Sequence, residues 1–341
     1  MLGAVGLRHL AWILTFRGRF EEVEMLYESV LSIRRLQGKE HPGAISAMGG
    51  LASTYRILGR LEDAERVAEE RLAFARRISG EENSRTADCM RGLADVYQAQ
   101  GRYEEAEPLY TRTLQIVTRV WGEDHVVVAH YMGALASLYT KAGRDQAESL
   151  HKKTVEILKE ALGESNHFTL RSMHGLAEHY LHEGRYAEAE PLIVQTAELR
   201  RQALGDEHYE TLATLNLQAI LYRNQGRYDE AEDLHEEAIT GIRRAFSDGH
   251  WRAGRYLYEY GLTLVAFDRH DKAESTLRES YDILMAALGN DHPHTTSAIN
   301  ALVDLYEQSG VPGEAAQWRA KLPTEQDAVA SDPPAEEKQD E

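Results

Sequence analysis

The residues best suited to chemistry in this 341-residue chain are its 15 histidines. In HGLAEHYLHEGR, His174, Glu178 and His182 follow one another at four-residue spacing, which places an imidazole, a carboxylate and a second imidazole on one helical face. Such groups bind divalent cations. The three span about 12 Å at ~1.5 Å per residue, so one ion reaches only two of them, and a solvated helix face is the preferred reading. Five other histidines, His41, His125, His208, His250 and His292, recur in one column that also holds Asn83 and Asn166. A column that repeats with its neighbourhood is structural. It precedes a helix start, where Asn is a good cap and where Pro42 and Pro293 fit as first helical residues. Cys89 is the single cysteine; it can form no intramolecular disulfide and reads as a small core residue. Neither a phosphate loop nor paired cysteine ligands, a nucleophile elbow or a kinase signature occurs, so the sequence predicts a non-enzyme with no metal and no cofactor.

The elements that carry these residues follow from a repeat. A Gly-Arg turn followed by an Ala-Glu pair recurs as GRLEDAE at Gly59, GRYEEAE at Gly101, GRDQAE at Gly143, GRYAEAE at Gly184 and GRYDEAE at Gly226, with weaker copies at Gly18, Asp268 and Gly310. The alanines Ala64, Ala106, Ala147, Ala189, Ala231, Ala273 and Ala315 are separated by 42, 41, 42, 42, 42 and 42 residues. Upstream runs a second set: Leu51-Ala52 with Tyr55, Leu93-Ala94 with Tyr97, Leu135-Ala136 with Tyr139, and Leu176-Ala177 with Tyr180. A fixed period of this length means that each unit buries its apolar face only against its neighbours. The small residues suit helix crossings, where a larger side chain would force the backbones apart, and the turn glycine suits a left-handed cap. Pro108 and Pro191 fall inside the second helix, for which a continuous helix with a local kink is predicted.

These motifs resemble the tetratricopeptide repeat over about nine-tenths of the chain. The resemblance implies an all-α fold: a right-handed superhelical solenoid of about eight antiparallel helix pairs over residues 1–322. The usual unit of that family is 34 residues. The longer period, with the links LQGKEHP at Leu36, ALGDEH at Ala203 and ALGNDHP at Ala287, is similar to the kinesin-light-chain-like branch. The ending ALVDLYEQSGVPGEAAQWRAKLP also resembles the repeat tails of some bacterial serine/threonine kinases. Residues 323–341 carry one Lys against seven Asp or Glu and no periodic apolar residues, and are predicted to be a disordered acidic tail.

In the family, first helices line a concave groove, which makes the positions flanking the Leu-Ala columns the candidate peptide readers. Two positions before the column leucine stand Gly49, Arg91, Gly133, His174, Asn216, Tyr258 and Asn300. Five before it stand Asp88, His130, Arg171 and Arg255, and five after it Arg56, Gln98, Thr140 and Arg223, all expected to face inward. The predicted peptide-binding set is Arg91, Arg171, His174, Asn216, Arg223, Arg255, Tyr258 and Asn300. A guanidinium grips a carboxylate bidentately and an amide pairs with peptide backbone, so an extended protein or peptide segment of acidic or mixed charge is the expected partner.

Net charge excludes other partners. At −18 for the whole chain, and −12 once the −6 of the tail is removed, the molecule repels phosphate backbones and anionic lipid, so neither nucleic acid nor a membrane is expected. No run approaches the roughly 20 apolar residues of a bilayer span. The lone cysteine fits a reducing, cytoplasmic compartment. The alternative to peptide binding is a self-associating or regulatory arm of a larger signalling assembly, such as one with a serine/threonine kinase: Leu2, Val5, Leu10, Ile13 and Leu14 begin the array without a polar cap, which fits either a homodimer through the array ends or an upstream domain.

Overall fold

The structure is a computed structural model that describes Leu14 and residues 22–29, 42–246 and 249–323. His41, the apolar positions Leu2, Val5, Leu10 and Ile13, and residues 324–341 of the tail lie outside the described residues. The described residues contain helices and turns only, and no described helix is long and apolar enough to cross a membrane. Contacts divide them into two units, one ending at His250 and one beginning at Trp251.

The first unit stacks five complete helix pairs: α1 Pro42–Ile57 with α2 Leu61–Ser79, α3 Ser84–Ala99 with α4 Tyr103–Trp121, α5 Val126–Lys141 with α6 Ala147–Leu162, α7 His167–His182 with α8 Tyr186–Leu204, and α9 Tyr209–Asn224 with α10 Tyr228–Ala245. The second unit holds α11 Trp251–Ala266 with α12 His270–Leu288 and α13 Pro293–Gln308 with α14 Pro312–Arg319. Every first helix has 16 residues. Their starts repeat the 42-residue period of the sequence, with 41 between α5 and α7. Within the first unit α1 touches α3, α5 touches α7 and α7 touches α9, while the second helices make no comparable contact with one another, so the first helices form the tighter layer.

Local signals explain the helix ends. The side chains of Asn83, His125, Asn166, His208 and His292 each accept the backbone N–H two residues on, at 2.9–3.3 Å, so the histidine column is a row of helix caps. A histidine can accept in this way only with Nδ1 unprotonated. The turn between paired helices is left-handed at Gly101, with φ 75°, and in the sixth described pair at Asp268, with φ 54°, which fills the glycine position of that copy. Pro108 and Pro191 sit inside α4 and α8, and both helices continue through them. The column alanines Ala64, Ala106, Ala147, Ala189 and Ala231 are fully buried.

The turn arginine, a signal of the sequence whose purpose only the structure shows, couples each pair to the one before. Arg102 donates Nη1 to Glu65 at 2.7 Å, clasps Glu105 with Nε and Nη2 at 2.6 Å, and lies 4.2 Å over the Tyr97 ring. The same fork recurs at Arg60 with Glu24, Asp63 and Tyr55, at Arg185 with Glu148, Glu188 and Tyr180, and at Arg227 with Glu190, Glu230 and Tyr222. The exception is Arg144, whose nearest oxygen on Glu107 is 3.9 Å away. Its turn, GRDQAE, is one residue shorter than the others, and α6 begins only at Ala147.

Candidate functional site

The first-helix layer holds most of the predicted readers, but its two ends in the first unit satisfy their polar groups differently. Around α1 and α3 the polar side chains answer one another. Arg71 on α2 occupies the position from which Thr113 on α4 donates to a first-helix carbonyl, the Ala87 oxygen at 3.0 Å. Arg71 makes the equivalent bond with Nε to Ile45 O at 3.0 Å, and its guanidinium then runs on to Asp88 on α3 at 2.6 Å. It passes between two glycines: a Cβ added at Gly49 would stand 2.9 Å from its Cζ, and one added at Gly92 would stand 2.7 Å from Nη1. Asp88 also accepts from Arg91, which donates to Asp95 at 2.7 Å as well, and the Tyr110 hydroxyl stands 2.5 Å from Asp95. Burial works against ionisation of Asp88, yet Arg71 and Arg91 together hold its carboxyl below the usual range. The predicted reader Arg91 is therefore committed to two carboxylates of its own helix, and only its Nε is buried without a partner among the described residues.

Around α7 and α9 several polar groups are left open among the described residues. Asn216 is 4% exposed and its Oδ1 has no hydrogen-bond partner among the described residues. Ser172 Oγ, His174 Nδ1 and Thr196 Oγ1 on α7 and α8 also lack hydrogen-bond partners among the described residues, whereas Arg200 on α8 donates Nη1 to Glu210 O at 2.9 Å and to Thr214 at 2.7 Å. Thr196 holds the position of Arg71 and Thr113, but its hydroxyl reaches no carbonyl. His174 Nε2 is 3.5 Å from Glu178, and His182 pairs with Glu183 at 3.5 Å, so the spaced His-Glu-His set does not converge on one point. Among the described residues no three His, Cys, Asp or Glu side chains gather as metal ligands. Arg171 is exposed, and its charge, with that of Arg91, adds to burial in lowering His130 on α5 to about 4.

The third predicted column is oriented otherwise. Gln98 and Thr140 turn toward the second helix of their own pair, where Gln98 meets Tyr110 at 2.9 Å and Thr140 meets His151 at 3.2 Å. Arg223 belongs to this column and stands near buried His235 on α10, which burial and the Arg223 charge lower to about 3. In the second unit Arg255 and Asn300 are exposed and Tyr258 is half-buried, and burial, then Arg255, lowers His294 to about 4. Sequence reasoning missed Arg71. The signal was present in the two glycines at Gly49 and Gly92, but the side chain that fills their gap comes from a different helix.

The tetratricopeptide repeat profile matches residues 4–77, 85–160, 128–192 and 168–244. Among solved structures, BtubC (BKLC) from P. vanneervenii is 22% identical, with 67% of this chain and 92% of that one covered and a TM-score of 0.54. A Podosopora anserina putative kinesin light chain with nearly identical TPR-like repeats is 25% identical over 57% of this chain and 93% of that one, with a TM-score of 0.48. The Rap protein complexed with competence and sporulation factor is 12% identical, covers 94% of this chain and 96% of that one, and has a TM-score of 0.60. Among curated proteins no relative matches. The profile spans well over half of the sequence, and the helix pairs, alanine columns and glycine turns are those its units require: the chain belongs to the tetratricopeptide repeat family.

Proposed function

We propose that this chain is a non-catalytic scaffold that holds an extended, acidic segment of a partner protein against the first-helix face of α7 and α9. The observation that carries this reading is Asn216, whose carboxamide oxygen is buried without a partner among the described residues, on a face where the equivalent region around Arg71 pairs most of its polar groups. Leaving such a group unpaired costs about 1–3 kcal/mol, a cost that a bound peptide backbone would relieve. Exposed Arg171 supplies the charge for a carboxylate beside it. The Rap protein, a similar stack by fold, is solved with competence and sporulation factor, which supports holding another molecule as the use of such a stack.

The test is selection from a displayed random-peptide library on the intact chain, beside Arg171→Glu and Asn216→Leu variants. The expected result is enrichment of peptides bearing Asp or Glu, with binding reduced at least about tenfold in each variant, which corresponds to about 1.4 kcal/mol. Selection of basic or uncharged peptides that bind all three proteins equally would overturn the assignment.

A further inference from the structure

One junction of the first unit buries two imidazoles against a single hydroxyl. Thr140 on α5 places Oγ1 3.2 Å from Nε2 of His151 on α6 and 3.1 Å from Nδ1 of His179 on α7. The same oxygen lies 3.2 Å from the carbonyl of Ala136 one turn back. The rings are 5.7 Å apart between centroids, and the residues are 4% and 6% exposed. A neutral ring suffices for this geometry, since the hydroxyl has one proton to give and two lone pairs to receive N–H groups. Beyond the bridge, the His151 ring lies against Gly175 of α7, where an added Cβ would stand 3.4 Å from Cε1 and 3.7 Å from Nδ1. A second proton on this ring therefore meets backbone and no carboxylate oxygen.

We propose that the His151–Thr140–His179 bridge is an acid-sensitive latch: it holds α7 against α5 and α6 while both imidazoles are neutral, and releases α7 when either takes a second proton. No other pair among the described residues of the first unit places two imidazoles on one hydroxyl. The corresponding positions are Tyr110 with Gln98 in the second described pair, Ile193 with Leu181 in the fourth, and buried His235 with Arg223 in the fifth, where an arginine takes the place of the hydroxyl. The charged groups that act on the bridge are Glu148 on α6, Glu178 and His182 on α7, and Glu183 and Arg185 in the turn toward α8, while α5 contributes the uncharged Thr140.

Burial, aided by the neighbouring His179, lowers His151 to about 4, and burial lowers His179 too. In the released form both rings regain a value near 6.5. The released form therefore binds more protons, so the latch is at full strength above about pH 6.5. Each pH unit below that raises the released fraction by up to about tenfold per histidine, until the closed-form value is reached. This inference does not depend on what the first-helix face binds.

Amide hydrogen exchange on the full chain, corrected for intrinsic rates and compared between pH 7 and pH 5, tests it. Protection of α7 should fall at least about tenfold more than that of α3, and the His151→Gln/His179→Gln double variant should erase the difference. An equal loss in α3 and α7 would overturn the latch. A histidine ring titration of the unmodified chain by NMR decides independently of variant stability: His151 and His179 should titrate well below the free-imidazole value near 6.5, and titration of both at about that value would also overturn it.

Discussion

Two stretches of one face, built from the same repeat, treat their polar groups in opposite ways. Between α1 and α3, Arg71 threads a gap left by Gly49 and Gly92, and Asp88, Arg91, Asp95 and Tyr110 close around one another. Between α7 and α9, the same columns hold Thr196, His174 and Asn216, each with a buried polar atom that nothing in the described chain satisfies. The first stretch spends its polarity on the fold, and the second keeps it available. A repeat protein can make this distinction because backbone and packing are constant from unit to unit, so a change in one column alters chemistry without altering the scaffold.

Four substitutions bear on this contrast and on the turn ladder that joins its units. The largest effect is expected from Asp88→Ala, which leaves the Arg71 guanidinium, 9% exposed as a residue, between the two glycines without its carboxylate. Removing one partner of a fully buried pair costs about 3–5 kcal/mol, and since Asp88 itself is partly exposed, a loss of about 2 kcal/mol in urea unfolding is expected. A loss below ~0.5 kcal/mol would show that the network contributes nothing to stability. Next comes Asn216→Leu, for which stability should hold or rise by up to about 1 kcal/mol, because an unanswered amide is exchanged for an apolar group. If it instead destabilises by that amount, the amide serves the fold and the contrast fails. The smallest effect is Arg227→Lys on the turn ladder, expected to cost about 0.5 kcal/mol as the bidentate clasp and the stacking on Tyr222 are lost from a group that is about a third exposed. Arg144→Lys, where the contact is already 3.9 Å, should show no measurable change, and equal losses at both sites would remove the ladder from the account.

The regular parts of this molecule were readable because they are written several times. The interval of 42 residues, the caps at Asn83, His125, Asn166, His208 and His292, and the passage of α4 and α8 through Pro108 and Pro191 all follow from comparing one unit with the next. Alignment placed Arg91, Asn216 and Arg223 together as groove residues, since it records position along a helix and not which way a long side chain leans. The structure separates them: Arg91 is paired within its own helix, Asn216 is buried and unsatisfied, and Arg223 stands near His235. Arg71 was out of reach because its guanidinium passes from α2 between α1 and α3, through an opening that two glycines make elsewhere in the sequence. The pairing of Thr140 with both His151 and His179 was hidden for a similar reason, as its members come from three different helices.

The turn arginine gives the array a grammar. The Gly-Arg turns at Arg60, Arg102, Arg185 and Arg227 are each read by a glutamate of the preceding unit, so these joints present the same socket to whatever unit follows. Excising residues 144–184 would join Gly143 to Arg185 and present that arginine to Glu107 in place of Arg144, restoring a full clasp where the parent has its weakest. The shortened turn would vanish with the excised segment. Genetic loss or gain of one whole period thus leaves no scar at the joint, and the length of the array is free to drift while its register cannot.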